Sequence, residues 1–102
     1  MAKMSFTRIK EDVTYILNRA KSIHPSQLAR DEGLIGRLVS IINSMLSGEY
    51  SEDEIGEILE MIKSTSINLF NRVIESTKDP VKCRQIHSKY SWHQKLKRMR
   101  SK

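Results

Sequence analysis

The sequence predicts an all-α fold, a small bundle of four or five helices, and three observations carry that expectation. Apolar residues recur at steps of three and four along most of the chain. Capping and breaking residues stand where those runs begin and end. No stretch alternates apolar and polar side chains as a half-buried strand would. At 102 residues the chain fits one domain around one core. Its 38% hydrophobic and 29% charged residues are those of a folded protein, far from the apolar-poor composition of a disordered chain.

The first helix begins near Ser5, a capping residue, and places Phe6, Ile9, Val13, Ile16, Leu17, Ala20 and Ile23 on one stripe. His24 and Pro25 end it, because a proline disfavours helical backbone in the residue before it. The second apolar run is LIGRLVSIINSML, residues 34–46, closed by Gly48. Leu34, Ile35, Leu38, Val39, Ile41, Ile42, Met45 and Leu46 cover most of its circumference. A helix of that kind belongs at the centre of the bundle or at a subunit interface, so the chain is expected to form a homo-oligomer, with a dimer favoured.

Ser51 and Glu54 form the sharpest local signal, a capping box in which each side chain satisfies the other residue's exposed amide. The helix that follows turns Ile55, Ile58, Leu59 and Ile62 to one face and Asp53, Glu57 and Glu60 to another. The pattern weakens from Lys63 to Ser66 and resumes at Ile67, Phe70, Val73 and Ile74. Either one long bent helix or two helices broken near residue 65 fit it. Asp79 and Pro80 then supply a cap and a first-turn proline for a last helix through Ile86 and Tyr90 toward Met99.

Charge divides the chain unevenly. Residues 1–77 carry nine Lys and Arg against eleven Asp and Glu, a helical body of net −2. Residues 78–102 carry nine Lys and Arg against Asp79 alone, net +8, in a basic C-terminal segment expected to be helical and part of the same domain. The overall charge of +6 therefore sits in the last quarter. Such an asymmetry points to a polyanionic partner. In that segment Lys82, Arg84, Lys89, Lys95, Lys97, Arg98 and Arg100 alternate with Tyr90 and Trp92. Cationic side chains neutralise phosphates and release counterions, while aromatic faces stack on unpaired bases. These nine residues are the expected nucleic-acid-binding set, with RNA or a single strand slightly favoured and low sequence specificity.

Two other functions fit the sequence less well. Trp92, Leu96 and Met99 lie at i, i+4 and i+7 and give the last helix an apolar edge beside its cations. A basic amphipathic helix of this kind suits an adaptor or inhibitor that binds an acidic protein surface. The same segment is also able to lie on the acidic stripe of Asp53, Glu57 and Glu60 within its own chain or a neighbour's. The third reading rests on PSQLARDEGLIGRLVSIINSM, residues 25–45, which resembles a DNA-binding helix-turn-helix in the spacing of Ala29, Gly33, Leu34, Val39 and Ile42. Its groove-facing positions, however, include Ile35, Leu38 and Ile41, whereas base edges are read by groups such as those of Arg37 and Asn43.

Catalysis and cofactors find no support. The chain has no phosphate-cradling glycine loop, no nucleophile elbow and no carboxylate pair marked by spacing as acid and base. Cys83 and His87 share a helical face, but no second pair completes a metal site, and a half-buried cysteine beside surface histidines describes them better. The expectation is a non-enzymatic protein without metal or cofactor. The N-terminus reaches acidic residues without an apolar segment, which predicts neither a signal peptide nor membrane association. A single cysteine suits an intracellular, reducing location, cytoplasmic or nuclear.

Overall fold

Six helices occur among the residues described by the computed structural model, 4–100: α1 (Phe6–Ala20), α2 (Pro25–Leu28), α3 (Glu32–Ser47), α4 (Glu52–Thr65), α5 (Ile67–Ser76) and α6 (Pro80–Arg100). Each N-terminus is capped by a side chain. Ser5 Oγ accepts from the Arg8 amide, His24 Nδ1 from Ser26, Asp31 Oδ1 from Leu34, Ser66 Oγ from Leu69 and Asp79 Oδ1 from Lys82, all at 3.1–3.2 Å. At Ser51 the capping box is complete: Ser51 Oγ accepts from the Glu54 amide at 3.1 Å, and Glu54 Oε1 accepts from the Ser51 amide at 2.9 Å. A cap contributes about 1 kcal/mol, so local chemistry alone fixes where the elements start.

Three expectations change in detail. The first helix stops at Ala20, and Ile23 lies in a tightened turn whose amides bond three residues back, Ser22 to Arg19 at 3.3 Å and Ile23 to Ala20 at 3.0 Å. Pro25–Leu28 forms a single helical turn, which raises the helix number above four or five. The run from 52 to 76 is two helices. Ser66 adopts an extended backbone (φ −162°, ψ 122°), its amide closes α4 on the Ile62 carbonyl and its hydroxyl opens α5.

The centre of the bundle is α4, not the 34–46 helix. α4 packs against α1, α3, α5 and α6, and it buries Ile55, Gly56, Ile58, Leu59 and Ile62. α3 buries Ile35, Leu38, Ile42 and Met45 and leaves Leu34, Val39, Ile41 and Leu46 half-buried. Its apolar residues conceal a small polar stripe, Gly33, Gly36, Ser40, Ser44 and Ser47, that faces solvent. The core face of α3 is covered by helices of its own chain.

Residues 80–90 belong to this core. Cys83 and Ile86 join the buried apolar cluster, and the His87 ring packs against Phe70 with centroids 4.8 Å apart. The turn before α6 is fastened by bonds between side chain and main chain: the Lys78 amide donates to Asn43 Oδ1 at 2.9 Å, and Thr77 Oγ1 donates to the Ile74 carbonyl at 2.7 Å. α6 runs antiparallel to α4, with His87 opposite Glu60 and His93 opposite Asp53. Between these pairs the helices meet at Gly56. A Cβ there would lie 2.5 Å from Tyr90 Cβ and 2.8 Å from its Cγ, closer than carbon atoms can approach.

Gly56→Ala is therefore expected to lower stability by about 1–2 kcal/mol although alanine is the better helix former, since the clash must push α6 outward. Gly36, on the exposed stripe of α3, has nothing within 4 Å of an added Cβ. Gly36→Ala should raise stability by roughly 0.5–1 kcal/mol through the unfolded chain's lost freedom. Urea unfolding of both variants measures the opposed signs.

Candidate nucleic-acid interface

α6 advances about 1.5 Å per residue, so its 21 residues extend roughly 30 Å along a molecule whose longest dimension is 38 Å. Cys83, Ile86, His87 and half-buried Tyr90 and Gln94 face inward. Directly opposite, Val81, Trp92 and Met99 are 66%, 58% and 67% exposed, with half-buried Leu96 at the edge of the same strip. At 100° per residue, Lys82, Lys89 and Arg100 fall on one side of this strip and Arg84, Lys95 and Arg98 on the other. Lys97 lies nearer the inward face. The outer surface is thus an apolar strip between two rows of cations.

Acidic groups of the body reach some of these cations. Arg84 lies 3.9 Å from Glu75 and Lys89 3.7 Å from Glu52, while His93 Nδ1 stands 3.7 Å from Asp53. Exposed pairs of this kind contribute about 0–1 kcal/mol and are screened by salt, so a phosphate is able to displace them. Lys82, Lys95, Arg98 and Arg100 form no ion pair among the described residues. Positive charge is therefore concentrated on the second half of α6, where no acidic residue follows Asp79.

The acidic stripe of α4 is the seam onto which α6 and α1 pack. His87 Nε2 lies 2.6 Å from Glu60 Oε2, and Lys10 Nζ lies 2.7 Å from Glu57 Oε2. The hydrogen bond to Glu57, reinforced by its charge, holds the Lys10 ammonium above its ordinary pKa. His87 is only 7% exposed and Cys83 fully buried, so neither the half-buried cysteine nor the surface histidine expected there is found. Burial pushes the Cys83 thiol up. Tyr90 sits against Gly56, and burial, with Glu57 and Glu60 adding to it, pushes its phenol up as well. Of the two aromatics in the expected binding set, only Trp92 presents an open face.

The helix-turn-helix positions are used by the core. Ile35 and Leu38 are buried, Ile41 is half-buried, and Asn43 holds the Lys78 amide, so of the five residues weighed for reading bases Arg37 alone is exposed. A residue that the terminal charge run gave no reason to include does border the outer face of α6. Lys63, from the last turn of α4, lines a cleft of about 310 Å³ together with Ser88, Ser91, Trp92 and Lys95. The only sequence signal for it is a lone lysine at the end of an otherwise acidic helix. Among the described residues no group of three or more His, Cys, Asp or Glu side chains is arranged to hold a metal ion, and no helix is long and apolar enough to cross a membrane. No family model, curated protein or solved structure matches the chain.

Cys83, Tyr90 and Lys10 all hold their protons more tightly in the folded protein than ordinary groups do. Their stabilising effect is complete below the unfolded pKa values, about 8.5 for a thiol and 10 or above for the other two, and is lost as pH rises beyond them. Urea midpoints should therefore fall between pH 8 and pH 10.5, and Tyr90→Phe should reduce the decline.

Proposed function

We propose that the protein binds nucleic acid through the outer face of α6, with RNA or single strands ahead of duplex DNA, with low sequence specificity and without catalysing a reaction. The observation that carries this reading is the exposed Trp92 between two rows of cations on one rigid helix. Phosphates take up Lys82, Lys95, Arg98 and Arg100 directly and displace the weak pairs at Arg84 and Lys89. The indole offers a stacking face to any base, which gives affinity without a sequence code. Nucleic acid as partner also fits a place inside the cell and a lone thiol in a reducing compartment.

A second reading, an adaptor that binds an acidic protein, draws on Val81, Leu96 and Met99, which extend the apolar strip beyond what one stacked base would use. The two differ in what the cations meet, a backbone of phosphates or scattered carboxylates.

Removing residues 78–102 would not separate them, because Cys83, Ile86 and His87 would leave the core with the charge. Glutamine substitutions at Lys82, Lys95, Arg98 and Arg100 leave the inward face intact. Anisotropy titration of a labelled 20-nucleotide strand should give a slope of log affinity against log salt of roughly −3 to −5. In the Lys82→Gln, Lys95→Gln, Arg98→Gln, Arg100→Gln variant the slope should shrink by about 3 and binding at low salt should weaken about 100-fold. Salt-insensitive binding, or none to any nucleic acid together with binding to polyglutamate, would favour the adaptor.

A further inference from the structure

The cleft beside Trp92 has the composition of a site rather than of a gap. Lys63 and Lys95 approach it from different helices, and neither forms an ion pair among the described residues. Two lysines lining one space, with no carboxylate among its lining residues, favour an anion there. Ser88 and Ser91, one turn apart on α6, add two hydroxyls without a hydrogen-bond partner among the described residues. Trp92 forms one wall, more than half exposed.

The other wall is rigid. His87 is held by Glu60 Oε2 at 2.6 Å and packs on Phe70, and the Lys63 ammonium lies 5.9 Å from the centroid of that same ring. Lys63 is thereby anchored at its base by α4 and steadied over an aromatic face, with its charge left available. The site joins an anion locus to a stacking surface, the two halves of a nucleotide.

We propose that this cleft takes one unpaired nucleotide of a strand, its phosphate between Lys63 and Lys95 with hydroxyl contacts from Ser88 and Ser91, and its base on Trp92. This rests on the nucleic-acid reading above and makes it specific for single strands. In a duplex both faces of each base are stacked on neighbours, so a base reaches the indole only after leaving the helix. The cations beyond the cleft attract either form of nucleic acid; the cleft separates them.

Trp92 is the chain's one tryptophan, so fluorescence of the whole protein reports on the cleft directly. Titration with an adenine decamer, with the same decamer paired to its complement, and with AMP at 50 mM salt distinguishes the cases. The decamer should quench Trp92, the duplex should bind more weakly and without quenching, and AMP should bind far more weakly than the decamer. Lys63→Gln and Lys95→Gln should each weaken decamer binding roughly three- to ten-fold and reduce its salt slope by about 0.7. Trp92→Ala, followed by anisotropy, should weaken it about ten-fold or more. Arg30→Gln, which removes an equal charge from the α2 end, should change neither.

Salt-dependent decamer binding with no quenching and no effect of Lys63→Gln would overturn the cleft while leaving the outer face of α6 as the binding surface. Equal affinity for AMP would overturn the strand in favour of a free nucleotide. Failure of every nucleic acid to bind at low salt would remove both readings together. Circular dichroism of the lysine variants should match the parent, since both side chains are exposed.

Discussion

The approach of Tyr90 to Gly56 is the contact on which the rest of the arrangement depends. A helix pair normally keeps its axes 8–10 Å apart according to the side chains between them, and a glycine on one partner permits the near end of that range. With no side chain at Gly56, α6 settles deeply enough for Cys83, Ile86 and His87 to reach the core cluster and for Glu60 to meet His87. The depth also decides which residues remain outside. Rotation of α6 by one residue would carry Trp92 toward the body and a cation toward the apolar seam, so the placement of Tyr90 fixes the outer strip as firmly as the inner one.

Charge in this protein has two separate duties. The carboxylates of α4 are spent at close range, Glu60 on His87, Glu57 on Lys10, Glu52 and Asp53 on Lys89 and His93. They tie three helices together and leave few acids free to oppose an incoming polyanion. Lys95, Arg98 and Arg100 in the second half of α6 form no ion pair among the described residues, and their side chains are exposed. A strongly basic surface and a stable helical core coexist because the neutralising acids are consumed in the seam instead of being spread over the surface.

Much of the fold was legible from short-range chemistry. Ser5, Ser51 and Asp79 marked three helix starts because a cap is decided by the cap residue and its next three neighbours. Periodicity found the buried faces of α1, α4 and α5, since spacing along a helix is a local property. What depends on assembly was not legible. α3 looked central from its number of apolar residues, but the small side chains of Gly33, Gly36, Ser40 and Ser44 open one flank, and only packing shows which flank the other helices choose. Tyr90 looked like a stacking platform until Gly56, distant in sequence, was brought beneath it. Lys63 could not be grouped with Lys95 at all, because the fold alone places the end of one helix beside the middle of another.

The tie between Asn43 and the Lys78 amide has a consequence for how this surface can change over time. It positions the start of α6 through main chain, and the inward residues position the rest, so the exposed apolar side chains of Val81, Trp92 and Met99 are not needed to pack the helix onto the core. Substitutions along that strip meet solvent, where they alter stability by only about half a kcal/mol. The strip is in effect a cassette. Its chemistry is free to drift from one ligand to another, or to lose its ligand altogether, while the domain beneath it folds unchanged.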